Sequence, residues 1–146
     1  MDPGLRRALD HVELFQLLSR YAVAIDTRDW ELLATVFTPD AVAEYTVGRF
    51  EGFEAIRDLI AGNLGRLDAS QHLIGSQVVT SLDGDTATTT CYLHAQHVRN
   101  GTPGGDQQVK AGYYTDRMVR TEAGWRIAHR LLTVTWETGN PAVLDL

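Results

Sequence analysis

Five polar side chains lie at positions where the neighbouring apolar pattern favours hydrophobic residues. They are Tyr21, Asp26, Tyr45, His72 and His97. Histidine is the side chain best suited to act as a general base near neutral pH, and a carboxylate can orient its ring. Phenol groups can donate hydrogen bonds to an oxygen that gains negative charge during a reaction. Together these residue types could remove a proton next to a carbonyl group.

Each of these residues also has a simple structural explanation. An aspartate between two helices commonly caps the second one, and a lone histidine in a strand is commonly a satisfied core residue. A metal site is not predicted, because His94 and His97 lie three positions apart on one strand and so point to opposite faces. The sequence contains one cysteine, Cys91, and neither a glycine-rich nucleotide loop nor a nucleophile elbow. We therefore expect neither a metal nor an organic cofactor.

A helix is predicted over the segment that ends at Asp26. Apolar residues recur every three or four positions from Val12 through Phe15, Leu18 and Ala22 to Ile25, which predicts one buried stripe. Asp10 with Glu13 resembles a capping box at the start of this helix, and Asp2-Pro3 offers an earlier start. Asp26 would then lie at the junction with a second helix.

The remaining elements are predicted from periodicity and turn residues. Short helices are expected from the cap Asp29 to Val36 and from Phe53 to Leu64. Strands are expected at 41–46, 71–81, 86–98, 108–120 and 125–136, and Asp83-Gly84-Asp85 is a strong hairpin signal. Helices followed by a long antiparallel meander indicate an α+β fold. A strongly curved sheet wrapped around three N-terminal helices would enclose a cone-shaped pocket.

Composition limits the class of protein. The chain of 146 residues is expected to form one domain over 1–146, with a core at about 10–137 and a loose tail at 138–146. Its net charge of −6 argues against a nucleic-acid partner, which would require a basic face. No apolar run has the length of a membrane helix and no signal peptide is recognised, so we expect a cytoplasmic protein without membrane contact.

Several motifs resemble the nuclear-transport-factor-2-like superfamily, and within it the SnoaL-like branch that includes scytalone dehydratase. They are the stretch from Tyr21 to Leu33, the segment Phe37-Thr-Pro-Asp40, the residues Gln71-His72-Leu73-Ile74-Gly75, and Gly124-Trp125-Arg126-Ile127-Ala128. The resemblance covers nearly the whole chain, from about Val12 to Trp136. It implies a cone-shaped α+β barrel with a cofactor-free active site.

The resemblance also implies roles for individual residues. In the dehydratase pattern an aspartate and a histidine form a dyad, which falls here on Asp26 and His72. Tyr45 and His97 occupy the positions of a second set of catalytic groups, and Tyr21 matches a tyrosine of related bile-acid dehydratases. We expect His72 to act as the base, the tyrosines to donate hydrogen bonds, and His97 to protonate a departing hydroxyl.

Three positions depart from the dehydratase pattern. Ile25 replaces a tyrosine, and Gly112 and Tyr114 replace a serine and an asparagine. These changes favour the same proton chemistry on a different substrate. The expected activity is elimination of water, and isomerisation or polyketide cyclisation with the same dyad is the alternative. A non-catalytic binder or assembly subunit is a further alternative.

The expected substrate is a small, apolar, cyclic molecule such as a polyketide or steroid. Residues expected to contact it are Trp30, Phe53, Ile74, Leu93, Tyr114, Thr133 and Trp136, with Val36 and Leu64 nearby. Residues 142–144 of the tail could act as a lid. Trp136 could alternatively cover the outer face of the sheet in a partner, and we expect a homodimer or homotrimer.

Overall fold

Three helices and six strands make up the chain in the computed structural model, which describes residues 1–145. The helices are α1 (Pro3–Asp26), α2 (Trp30–Ala34) and α3 (Phe53–Leu64). The strands are β1 (Phe37–Tyr45), β2 (Gly48–Glu51), β3 (Ala69–Asp83), β4 (Thr86–Val98), β5 (Gln107–Thr121) and β6 (Gly124–Gly139). A short 3-10 turn, Pro141–Val143, follows β6.

The six strands form one curved sheet in the order β2-β1-β6-β5-β4-β3. Strands β1 and β6 are parallel, and every other neighbouring pair is antiparallel. Helix α1 packs on β3 and β6, and α3 packs on β1. The predicted α+β architecture, three helices against a mostly antiparallel curved sheet, is confirmed.

Helix α1 begins earlier than the capping-box pattern indicates. The side chain of Asp2 caps it by accepting a hydrogen bond from the backbone N–H of Leu5 at 3.0 Å, and Pro3 occupies the first turn. Asp10 is instead 4% exposed inside the protein, where its Oδ1 accepts a hydrogen bond from Arg120 Nη1 at 2.8 Å. The assignment of Asp10 as a helix cap is therefore wrong.

The buried face of α1 also differs from the predicted stripe. Leu14, Leu18, Tyr21 and Ile25 keep helical spacing and are at most 2% exposed. Val12 breaks that spacing and is 57% exposed. The stripe that faces the core therefore starts at Leu14, and it carries Tyr21 into the interior.

A bulge brings β5 and β6 unusually close at Gly112. Their register shifts between Ala111 and Gly112. A Cβ atom at Gly112 would lie 1.9 Å from the carbonyl oxygen of Thr133, so no residue with a side chain fits without moving the backbone. This explains why glycine stands here in place of the serine of the dehydratase pattern.

The tail is tied to the body of the protein. Asn140 donates hydrogen bonds through Nδ2 to the carbonyl oxygens of Pro103 and Gly105 at 3.0 and 2.8 Å. Val143 is fully buried, and Arg99 donates to the carbonyl oxygen of Asp145 at 3.1 Å. The expectation of a loose tail from residue 138 is wrong up to residue 145, because these contacts fix it.

None of the helices between residues 1 and 145 has the length and apolar character needed to span a membrane.

Candidate active site

Asp26 and His72 are hydrogen-bonded at the junction of α1 and β3. Asp26 is the last residue of α1, and His72 lies near the start of β3. The distance from His72 Nδ1 to Asp26 Oδ1 is 2.6 Å. The backbone N–H of His72 also donates to Asp26 Oδ2, at 2.7 Å. Because the carboxylate holds the proton on Nδ1, the neutral ring keeps its lone pair on Nε2.

Two residues that the sequence analysis did not single out hold this carboxylate in place. Ser70 Oγ donates to Asp26 Oδ1 at 3.0 Å and accepts from Arg28 Nη1 at 2.8 Å. The same Arg28 nitrogen donates to the carbonyl oxygen of Ile25 at 2.6 Å, at the end of α1. Arg28 has a φ of 58°, in the left-handed region that is uncommon for a residue with a side chain. This backbone conformation reverses the chain and turns the guanidinium back towards the helix end.

These contacts keep Asp26 ionised. Burial alone raises the pKa of this carboxyl, but hydrogen bonds from the His72 ring, the His72 backbone and Ser70 outweigh it. The net result is a pKa for Asp26 below its usual value. The side chain of His72 is only 6% exposed, so the pair is largely shielded from solvent.

His72 lines a cavity of about 310 Å³ between the helices and the concave face of the sheet, and Asp26 lies behind it. Its size is at the lower end of the range typical of small-molecule sites. Predicted residues that line it are Tyr21, Tyr45, His72, Leu93, His97 and Tyr114, together with Leu64. Further lining residues come from α1, α3, β4, β5, β6 and the tail: Ile25, Asn63, Ala95, Gln108, Lys110, Leu132, Glu137, Pro141, Leu144 and Asp145.

Two buried tyrosines, the half-buried Tyr45 and a buried ion pair lie at one side of this cavity. The hydroxyls of Tyr21 and Tyr114 are 3.5 Å apart, and the Arg130 guanidinium lies 4.2 and 3.8 Å from the centres of their rings. Arg130 is fully buried and donates two hydrogen bonds of 2.7 Å to Asp116. Burial, followed by the neighbouring Tyr21, raises the pKa of Tyr45 and Tyr114, so both phenols stay protonated donors. The Tyr45 hydroxyl has no hydrogen-bond partner within residues 1–145.

His97 lies beside the dyad, with its ring centre 5.6 Å from that of His72. It is 4% exposed. Burial and the nearby His72 lower the pKa of His97 to about 4, and Lys110 contributes in the same direction. His97 is therefore a neutral ring at pH 7 and a poor proton donor. His94 lies on the opposite face of the sheet, 5.7 Å from the ring of Trp136.

Five of the residues expected to contact substrate do not line this cavity among the described residues. Trp30, Phe53 and Ile74 pack against the hydrophobic core. Thr133 pairs with Tyr113 across β5 and β6, and Trp136 is 51% exposed on the outer face. These assignments are corrected: apolar character predicted burial in the first three, but it could not indicate whether a side chain faces the cavity or the rest of the core. Val36 is fully buried and likewise lies outside the lining.

Strand alternation could have identified three further residues near the dyad, Ser70, Gln108 and Lys110. Ser70 and His72 are two positions apart on β3, so they share one face. Gln108 and Lys110 have the same parity as Tyr114 on β5. Once Tyr114 is assigned to the inner face, the other two follow.

Comparison with known proteins assigns the family. A family model described as SnoaL-like domain matches residues 6–131. The chain belongs to the SnoaL-like family. Relatives of this SnoaL-like protein include an uncharacterized protein of Mycobacterium tuberculosis, 37% identical over 127 residues that cover 85% of this chain and 84% of the relative. Terrestric acid biosynthesis cluster protein E of Penicillium crustosum is 31% identical over 140 residues, covering 92% and 88%.

Solved structures confirm the fold. A protein of Kribbella flavida superposes with a TM-score of 0.86 at 24% identity, covering 94% of this chain and 97% of that one. A nuclear-transport-factor-2-like superfamily protein of Salmonella enterica gives a TM-score of 0.80 at 20% identity, covering 92% and 97%. The SnoaL-like protein therefore has the cone-shaped fold of this superfamily, as its motifs predicted.

Proposed function

We propose that this SnoaL-like protein is a cofactor-free lyase of the dehydratase type. The observation that carries the proposal is the Asp26–His72 pair, joined at 2.6 Å, whose histidine lines a cavity between the helices and the sheet. A pure binding protein would not require a carboxylate that accepts three hydrogen bonds in order to orient one imidazole. Neither Trp30 nor Trp136 lines this cavity, which leaves room for a substrate.

The proposed reaction starts with removal of a proton from the carbon next to a carbonyl group. His72 Nε2 takes this proton, and Asp26 stabilises the imidazolium that forms. The free hydroxyl of Tyr45 is available to donate a hydrogen bond to the oxygen of the developing enolate. The hydroxyl on the next carbon then leaves, takes the proton back from His72, and departs as water, while a carbon–carbon double bond forms. His97 is neutral, so we assign it to hydrogen bonding instead of proton donation.

Names of related proteins support elimination chemistry. A candidate scytalone dehydratase of Novosphingobium aromaticivorans has a TM-score of 0.82 at 19% identity, covering 90% of this chain and 88% of that one. A hexachlorocyclohexane dehydrochlorinase of Novosphingobium barchaimii has a TM-score of 0.82 at 18% identity, covering 92% of each chain. Isomerisation and cyclisation begin with the same proton removal and use the same dyad.

Proton exchange tests this proposal without knowledge of the natural substrate. Apolar ketones are incubated with the protein in deuterium oxide, and NMR measures the loss of the proton next to the carbonyl. His72→Ala and Asp26→Asn should slow this exchange by roughly a hundredfold, the usual contribution of a positioned general base. His94→Ala changes a histidine on the outer face and should exchange as fast as the wild type. Full exchange by His72→Ala, or no catalysed exchange of any ketone by the wild type, would contradict the proposal.

We also propose that the outer face of the sheet binds further copies of the chain, in a homodimer or homotrimer. Leu73, Tyr92 and Trp136 on this face are 57%, 64% and 51% exposed, and they line one shallow depression. Exposed apolar patches of this kind commonly mark protein interfaces. Light scattering of the purified protein should give a multiple of 16.2 kDa, and Trp136→Ser should shift the mass towards that of one chain. A monomeric wild type would contradict the proposal.

A further inference from the structure

Two buried polar side chains face the cavity without hydrogen-bond partners. Gln108 on β5 and His97 on β4 are directly opposite each other in the strand register. They are 2% and 4% exposed, and both line the cavity. Within residues 1–145, neither Gln108 Oε1 nor His97 Nδ1 has a hydrogen-bond partner.

Side chains arranged in this way favour a polar ligand group over an apolar one. A buried polar atom without a partner costs about 1–3 kcal/mol relative to one that is hydrogen-bonded. The side chains of two residues that lie directly opposite each other on adjacent strands are close enough for one small group to contact both. A ligand group that lies between them and hydrogen-bonds both is therefore favoured over an apolar group, which would leave both atoms unpaired.

The chemistry of the pair defines the group that fits. A carboxamide and a neutral imidazole each offer a donor and an acceptor. A hydroxyl can donate to one of them and accept from the other. A carboxylate cannot donate, and a halogen or a methyl group would leave both side chains unpaired. The nearby Lys110 does not favour an anion strongly, because the Glu137 carboxylate lies 3.9 Å from its ammonium group.

We propose that Gln108 and His97 form a subsite for a hydroxyl group of the substrate, and that Gln108 selects for it. This inference rests on the proposed function and specifies its substrate class. The ring of His97 lies 5.6 Å from that of His72, so the hydroxyl would be bound close to the carbon that loses its proton. The substrate is then a β-hydroxy carbonyl compound, not its chlorinated or deoxygenated counterpart.

Binding of three matched ketones tests the subsite. The probes are the aldol adduct of acetone and benzaldehyde, its methyl ether, and the analogue with a methyl group in place of the hydroxyl. Dissociation constants are measured by calorimetry with His72→Ala, which under the proposed function binds the probes without converting them. The hydroxyl ketone should bind about tenfold more tightly than the other two, because sites that hydrogen-bond a hydroxyl discriminate against analogues lacking it.

Gln108→Met, added to His72→Ala, should remove most of this preference and leave the affinity for the methyl analogue unchanged. Gln107→Met is the matched control, since Gln107 is exposed at the neighbouring position, and it should keep the preference. The melting temperature of Gln108→Met should stay level or rise, because an unpaired buried group is removed. Equal binding of the three ketones, no measurable binding of the hydroxyl ketone, or a preference that survives Gln108→Met would overturn the proposal. If the proposed role of His72 as the base were wrong, His72→Ala would exchange protons as fast as the wild type, and this result is separate from the binding measurements.

Discussion

Protonation of His97 should make a large and separable contribution to acid denaturation. Burial and the nearby His72 lower the pKa of His97 to about 4 in the folded protein, with a smaller contribution from Lys110, while the backbone of Gln108 and the Asp26 carboxylate act in the opposite direction. In the unfolded chain the same ring titrates near its ordinary value of 6.5. As pH falls below 6.5, the unfolded chain takes up the proton first, so protonation favours unfolding.

The size of the effect follows from the difference between these two pKa values. Each pKa unit corresponds to about 1.4 kcal/mol. Between pH 7 and pH 4, His97 alone should therefore remove about 3 kcal/mol from the free energy of unfolding. The free energy of unfolding is unaffected by His97 above pH 6.5, and it decreases as the pH falls from 6.5 to 4. This decrease would be a substantial part of the roughly 5–15 kcal/mol typical of a domain.

Urea denaturation of the wild type and His97→Gln at intervals from pH 7 to pH 4 measures this contribution. Carboxylates also titrate in this range, but their effect is common to both proteins and cancels in the difference. The difference in free energy of unfolding between the wild type and the variant should decrease by about 3 kcal/mol as the pH falls from 7 to 4. His94→Gln, which changes an exposed histidine of the same strand, should follow the wild type. Parallel curves for wild type and His97→Gln would refute the claim that folding lowers the pKa of His97.

Three further substitutions test the supports of the site and of the fold. Ser70→Ala removes a donor to the dyad carboxylate, so proton exchange should slow about fivefold and the acid limb of its pH profile should move to higher pH. Asp116→Ala leaves Arg130 buried without its counter-ion and should lower the free energy of unfolding by about 3–5 kcal/mol, measured in urea. Gly112→Ala places a methyl group 1.9 Å from a carbonyl oxygen of β6 and should cost at least about 1–3 kcal/mol, measured by thermal denaturation. Gly62→Ala is its control, because a Cβ there meets nothing within 4 Å, and it should be neutral or stabilising.

The parts of the fold that were predicted correctly are determined by short stretches of sequence. Asp29 caps α2 by accepting from the backbone N–H of Leu32 at 2.9 Å. Gly84 in the β3–β4 hairpin has a φ of +57°, which Asp-Gly turns adopt readily. Both features require information from only a few neighbouring residues. The earlier start of α1 at Asp2-Pro3 is confirmed. The alternative start at Asp10 is wrong, since Asp10 pairs with a residue 110 positions away and no local pattern reveals such a partner.

In the candidate site, too, contacts between residues distant in sequence could not be predicted from local patterns. Asp26 and His72 are 46 residues apart, and only the family resemblance brought them together before the structure did. Arg28 could not be assigned, because its role depends on a left-handed backbone that allows its side chain to return to the helix end. For Trp136 the sequence left two placements open, in the cavity or on the outer face of the sheet. The bulge in β5 and β6 and the register of β6 decide that it lies on the outer face.

The Asp26–His72 pair and the β5 residues Gln108 and Lys110 are held in place by different elements of the fold. The dyad carboxylate is fixed by the end of α1 and the start of β3 through hydrogen bonds to Ser70 and His72. Gln108 and Lys110 project from β5 and do not contribute to those bonds. Substitutions on β5 can therefore change which group is recognised beside the base without moving the base.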